Sequence, residues 1–447
     1  MCEETLFDLP EPVAPKSVAP TRPEEARLLR PVRDQVQWLP RSLDACLPQE
    51  HPARSIWGFL QGLELSAFYG SIKAVLGHAG HPTTDPQVLL ALWVFATAEG
   101  IGSARQLARL CEEHDAYRWL RGGVPINYHM LADFRVAHQR EMDGLLTNIL
   151  SSMMAEELVT LRHVAQDGMR TRASAGAGSF HRRESIEECL VKAREQVERL
   201  AKEREHPDAG VSRRQQVARE RAARERQLRV ERALERMPMM EAAKERQAKT
   251  LSQEKLAQVS KPRVSSTDPE AQVMKMPDGG FRPAFNLEIA TDVGSQVIVG
   301  VGVETKGSDA GEAVPMVQQV KERTGRSPEG YLMDGSFATR EDITTLERQG
   351  ILVYAPARAP RTESSGRTQA DAHPGDTPEV AGWRRRMETE EAKEVYKERA
   401  ATAECVNARA RAYGLRQLTV RGVEKVLSVL LLVAITHDLL RWIALRG

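Results

Sequence analysis

Cysteine is scarce in this chain of 447 residues, and the five present, Cys2, Cys46, Cys111, Cys189 and Cys405, are odd in number, far apart and form no CxxC pair. That usage argues against a disulfide framework and a structural zinc site, and fits a reducing, cytoplasmic compartment. Net charge is missing too: 63 Lys and Arg stand against 62 Asp and Glu, a formal charge of +1, so any nucleic-acid argument must be regional. The most apolar run, "VLSVLLLVAI" at 426–435, falls short of the roughly 20 residues that a spanning helix needs. It reads as a buried helix, with no membrane partner. The N-terminus carries acids and prolines where a secretory signal needs a basic start and an apolar core.

At roughly 150 residues per domain, the length allows about three domains. Residues 1–44 include "LPEPVAPKSVAPTRPEE", whose prolines deny a continuous helix and predict a largely disordered arm. Residues 45–160 read as a helical N-terminal DNA-binding domain. Asp85 before Pro86 fits an N-cap with proline at the first helical position, and "SARQ" at 103–106 fits a capping box. Within it, a helix over Asn127–His138 bearing His129, Arg135 and His138 reads either as the recognition helix of a helix-turn-helix or as one member of a packed bundle.

Composition shifts to dense Arg and Glu over 181–262. Ile186, Leu190, Ala193, Val197 and Leu200 recur at spacings of four and three, a coiled-coil seam, while "RRQQVARERAARERQLRVERALER" is helical and more basic than acidic. A long helical hairpin is expected, serving as a spacer or dimerisation arm, or as a basic arm along DNA phosphates. After it the period drops to two: "FNLEIATD" and "QVIVGVGVE", joined by "TDVGS", predict a β-hairpin. Helix, strand ("GYLMD"), helix and strand ("ILVYAP") follow, then a Pro-, Gly-, Ser- and Thr-rich loop at about 357–382, expected to be mobile, and a helical C-terminus.

Two acids stand out. Asp167 in "HVAQDGMRTRAS" and Asp334 in "GYLMDGSF" each follow an apolar run of strand length and precede a glycine. On neighbouring strands both would emerge at one sheet end, and two close carboxylates invite a divalent cation. Hard oxygen ligands suit Mg²⁺ or Mn²⁺, which serve phosphoryl transfer. On spacing alone, though, Asp-Gly after a strand more often marks a turn. Near the C-terminus, Tyr396, Arg399 and Glu404 lie on one expected helix, with Arg411 on the face of Glu404 two turns on. There too the common reading is a solvated acid–base pair. Asp268, Glu270, Asp292 and Glu304 compete as site acids, and Asp292 reads as a turn residue.

The order strand-Asp, helical insert, β-hairpin, strand-Asp, strand and helix with "Y-x2-R-x4-E" resembles the DDE transposases of bacterial insertion sequences. The stretches "AYRWLRGG", "LADFR", "DPEAQVMKM", "GYLMDGSF" and "WRRRM...YKERAATAECVNARAR" carry the resemblance, which runs from about residue 45 to the end. It implies an α/β, RNase H-like catalytic domain over 161–447, interrupted by the 181–262 insertion and preceded by the all-α domain. It also implies a Mg²⁺- or Mn²⁺-binding catalytic triad of Asp167, Asp334 and Glu404. Tyr396, Arg399 and Arg411 then hold DNA phosphates, with arginine at 411 where many relatives have lysine, a change that keeps charge but alters donor geometry. Arg170 and Arg172, beside the first acid, read as further phosphate contacts. The implied activity is end-specific cleavage of double-stranded DNA and strand transfer by a homodimer, free of covalent enzyme intermediates, with the 184–200 heptads as a candidate pairing surface. The alternatives are a non-catalytic transposase remnant that binds element ends without cutting, and a stand-alone RNase H-like nuclease.

Overall fold

A long central strand, β1 (His163–Arg172), organises the sheet. On one side it pairs antiparallel with β5 (Phe281–Asp292), and on the other it runs parallel to β7 (Gly330–Leu332), which pairs in parallel with β8 (Leu352–Tyr354). The far side of β5 is shared by β4 (Gln272–Lys275) and β6 (Ile298–Glu304). The result is a mixed six-stranded sheet flanked by helices. In this computed structural model the described residues are 40–70, 72, 82–205, 212–249, 261–357 and 372–446. Most of the expected N-terminal arm and residues 358–371 of the expected loop lie outside them.

The helical region ahead of the sheet follows its caps. Asp85 Oδ1 accepts the Gln87 amide at 2.8 Å at the start of α3 (Pro86–Ala98), and Ser103 Oγ accepts the Gln106 amide at 3.3 Å at the start of α4 (Ala104–Glu113). Helices α1 (Pro52–Gln61), α2 (Ser66–Tyr69), α5 (Asp115–Arg121), α6 (Tyr128–Ala137) and α7 (Gln139–Ala155) complete this layer. Helix α3 is apolar all round and buried from Val88 to Thr97, as a helix surrounded by others must be.

In α6 the packed-bundle reading wins for two of the three residues singled out. Arg135 is only 5% exposed, donates to the Gly102 carbonyl at 2.7 Å and lies 4.3 Å over the Trp93 ring. His138 bonds the Phe134 carbonyl and stacks on Phe68. Neither faces a groove of DNA; His129 alone of the three is exposed.

Between β1 and β4 the chain forms an antiparallel pair, α8 (Arg183–Glu205) and α9 (Arg213–Lys249). Its direction follows from its pairs: Arg183 with Glu241, Arg194 with Glu231, and Arg226 with Gln196. The heptad seam is spent inside this hairpin, where Ile186 and Leu190 pack on Val230, Ala233 and Met237. A dimer contact through that seam is therefore corrected: the apolar edge meant for a partner chain is already covered by α9. The short β2 (Phe180–His181) and β3 (Val264–Ser265) close the base of the arm.

Helices α10 (Ala313–Thr324) and α11 (Arg340–Arg348) link the later strands. The chain ends in α12 (Pro378–Met387), α13 (Glu390–Arg399), a π-helical turn (Ala400–Glu404), α14 (Cys405–Ala412) and α15 (Val423–Leu445). Helix α15 extends well past the apolar run and is, by length and composition, apolar enough to cross a bilayer. Burial decides instead: 72% of its most apolar window is covered, and it packs against α3, α7 and β6. Its Asp438 accepts the Ile298 amide of β6 at 2.8 Å.

Replacing Arg135 by alanine strips a charged donor from the Gly102 carbonyl and opens space over Trp93. The expected cost is about 2–3 kcal/mol, read as a lower midpoint in chemical denaturation, with no selective loss of DNA affinity.

Candidate active site

The two strand acids meet through register. Val164 pairs with Tyr331 and Ala165 with Leu332; the same offset carried two residues further sets Asp334 beside Asp167. Their charges repel, which adds to a rise in the Asp167 carboxyl caused first by burial and opposed by Arg399. Asp167 does not end its strand, however. It stands mid-way along β1, which runs on to Arg172 because β5 still pairs with it, opposite Ile289 at Asp167 and Ala284 at Arg172. The acids align because β7 stops early, leaving Asp334 in the loop beyond it.

The C-terminal helices close over this face. Ala165, two residues before Asp167 and on the same side of the strand, packs in a cluster with Leu332, Tyr354 and Ala392, against which Tyr396 lies. One turn on, Arg399 Nη2 donates to Asp167 Oδ1 at 2.9 Å, and Asn407 Nδ2 donates to Oδ2 at 2.7 Å. Both oxygens of the central acid are thus held by one helical run. The Arg399 Nε is buried without a hydrogen-bond partner among the described residues. Tyr396 is half-buried, and burial pushes its hydroxyl up, with Asp334 and Asp167 adding to the rise and Arg399 opposing it.

The π-helical turn governs Glu404. In a regular α-helix residues five apart stand about 140° apart around the axis. An i→i+5 turn is wider and brings such residues nearer to one face, and Glu404 is its last residue, in sequence between Arg399 and Asn407. Its side chain is exposed and makes no hydrogen bond or ion pair with the described residues; Arg411 on α14 is exposed as well. Asn407 escaped the sequence reading, although a single amide among Val406 and Ala410 on a buried helix face is a signal that it needs a partner.

The other face of β1 holds a polar network also missed. Tyr331 donates to Gln166 at 2.5 Å, Gln166 to Glu288 at 3.0 Å, and Asn286 Nδ2 reaches both Glu288 and Asp309 at 2.6 Å. Ser336, two residues after Asp334, closes the chain on Asp309 Oδ2 at 3.1 Å. Gly168 is required where these meet: a Cβ there would lie 2.8 Å from Asp309 Oδ1 and 2.9 Å from Glu288 Oε1. Arg170 points to this face and is committed to the Lys275 and Gly307 carbonyls, both at 2.9 Å. Arg172 is exposed near the strand end. Neither is brought together with Asp167 on its own face. The competing acids have other partners: Asp292 staples the hairpin turn through Ser295 and the Leu161 amide, while Asp268 and Glu270 accept the Gly422 and Val423 amides at the start of α15.

Asp167 and Asp334 offer hard oxygens side by side, a donor pair that fits a divalent cation. Among the described residues, though, no group of three or more His, Cys, Asp or Glu is gathered as a metal site. Two family models match the chain: a transposase domain (DUF772) over residues 41–137, and a transposase DDE domain over residues 362–443. The chain therefore carries transposase domains in its helical N-terminal region and in its C-terminal helices. No curated protein and no solved structure matches it.

Burial pushes Glu288 up to about 8, with Asp309, Glu312 and Asp167 adding to the rise and Gln166 opposing it. Because the folded value lies above the ordinary one of 4.5, its stabilising contribution is complete below that value and is lost as pH rises through about 8. The wild-type denaturation midpoint is expected to fall across that interval, and Glu288→Gln, which mimics the protonated acid, is expected to flatten the decline.

Proposed function

We propose that this protein is a transposase that cuts DNA at the ends of its element and joins the freed 3′-hydroxyl to a target, using Asp167, Asp334 and Glu404. One observation carries the reading: Asp167 on β1 and Asp334 in the loop just past the parallel β7 are close enough for their charges to repel, under the helical run that supplies Arg399 and Glu404 and matches a transposase DDE domain. The mixed sheet, interrupted after its first strand by a helical hairpin, supports an RNase H-like assignment for this region.

Asp167 and Asp334 hold Mg²⁺ or Mn²⁺ in this reading, and Glu404 completes the set. When bound, the metal activates a water or hydroxyl and stabilises the leaving oxygen of a phosphodiester. The chain's own residues do the positioning. Arg399 balances the Asp167 charge in the free protein, and its unpartnered Nε is a donor ready for a phosphate oxygen. Tyr396 lines the same face, and the exposed Arg411 adds charge farther along the strand of DNA. Arg170, braced on two carbonyls, serves the fold more than the substrate, whereas Arg172 is free to meet backbone phosphate. The DNA complex is a homodimer, since two ends must be processed together, but its contact lies elsewhere than the heptad seam. The working compartment is the cytoplasm.

A second reading has one observation in its favour: Glu404 points outward and both Asp167 oxygens are occupied, as expected of a remnant that binds ends without cutting. Cleavage of DNA bearing the element's ends separates the two. With Mg²⁺ the intact chain is expected to cut, and Asp167→Ala, Asp334→Ala and Glu404→Ala each to lower the rate by at least about a hundredfold while end binding persists. Binding without cutting by the intact chain sinks the catalytic reading.

A further inference from the structure

The helical hairpin carries a cleft of about 520 Å³ between α8 and α9. Its floor is small and apolar, formed by Leu200, Ala222 and Ala223, and its walls bear Arg219, Arg226 and Arg229. These three arginines make no ion pair with the described residues. The hydrogen bond of Arg226 goes to a neutral partner, Gln196, at 3.2 Å. Only some arginines elsewhere on the arm are paired: Arg183 with Glu241, Arg194 with Glu231, Arg221 with Glu225. At the cleft itself Arg199 has only a long pair with Glu203 at 3.7 Å. What sets the cleft apart is that three such guanidinium groups line one concave surface.

Arg229 is the telling residue. Its Nε is buried with no hydrogen-bond partner among the described residues, and burial, then the nearby guanidinium of Arg421, disfavour its charge, with Glu225 opposing. Arg421 in turn donates to the Ser174 carbonyl just past β1 at 3.1 Å, and the buried Asp268, whose charge it favours, accepts the Gly422 amide. Two cations brought together with unused donors are costly unless an anion joins them. A guanidinium offers a planar fork matched to phosphate oxygens. Arg421 also ties the cleft to the end of β1, where Arg172 is exposed, about 16 Å along the strand from Asp167.

We propose that this cleft is a second DNA-backbone site, in which Arg219, Arg226 and Arg229 hold phosphates of the duplex whose cleavage site lies at Asp167 and Asp334. The inference rests on the transposase reading and assigns the arm its part in it. Spacer and pairing arm give way to a clamp that grips DNA away from the reacting phosphate. Because phosphate contacts carry no sequence information, the site adds affinity and register and leaves choice of sequence to other residues.

The test uses the full chain and a generic duplex DNA, with affinity followed by fluorescence anisotropy across a salt series. Arg226→Gln and Arg229→Gln are compared with Arg224→Gln, which removes the same charge from the same helix outside the cleft. Each cleft variant is expected to bind about three- to tenfold more weakly and to lower the salt slope by about one, one phosphate contact fewer, with unchanged helix content by circular dichroism. Arg224→Gln is expected to change neither by as much. Equal affinity and slope in cleft and control variants overturn the site while leaving the transposase reading intact. A loss of self-association with DNA affinity unchanged also overturns it, in favour of an acidic segment of a second copy as occupant. An intact chain that does not bind duplex DNA at all overturns the transposase reading and the cleft together.

Discussion

The parallel pairing of β1 with β7 is the contact on which the rest depends. It joins residues far apart in the chain, from Val164 to Tyr331 and Ala165 to Leu332, and closing so long a loop costs entropy that only a buried, well-registered pair returns. Everything between must leave the sheet and come back to it. The hairpin of α8 and α9 does so by carrying its own apolar seam, sealed by the β2–β3 bridge at its base. The β5–β6 hairpin does so by pairing along the other edge of β1. A slip of one residue in either pairing would turn Asp167 to the wrong face.

Alternation along β1 then divides labour. One face presents Asp167 to the C-terminal helices; the other presents Gln166 and Gly168 to a network of buried amides and acids that ends at Ser336, in the loop carrying Asp334. That network is the firm support for the loop. Glu288 sits in it largely protonated below about pH 8, so a carboxyl is tolerated inside the sheet without a cationic partner. Strand acid and loop acid are thus positioned from opposite sides of the same strand.

On the helical side, the π turn at Ala400–Glu404 changes which residues can share a face. Arg399 and Asn407 reach Asp167 from either side of it. These two donors hold both oxygens of the acid, whose carboxyl burial raises and Arg399 only partly brings back. The pairing keeps a partly buried carboxylate and a partly buried guanidinium satisfied by each other.

Local signals in the sequence were enough for the caps at Asp85 and Ser103, the period-two hairpin at 285–304, the seam at 186–200 and the strand character around both aspartates, because each follows from neighbours within a few residues. The same local signals misplaced the end of β1 and left the two readings of Arg135 open, since partner-strand length and burial are settled by distant segments. Asn407 and Asp309 were hidden for that reason: their partners, Asp167 and Asn286, are brought to them only by the folded sheet. What the chain determined by itself was periodicity and the residue types able to do chemistry. Which acids stand together, which arginines are spent on carbonyls and which remain exposed was decided by tertiary register, because hydrogen bonding and charge act over a few ångströms in space whatever the separation in sequence.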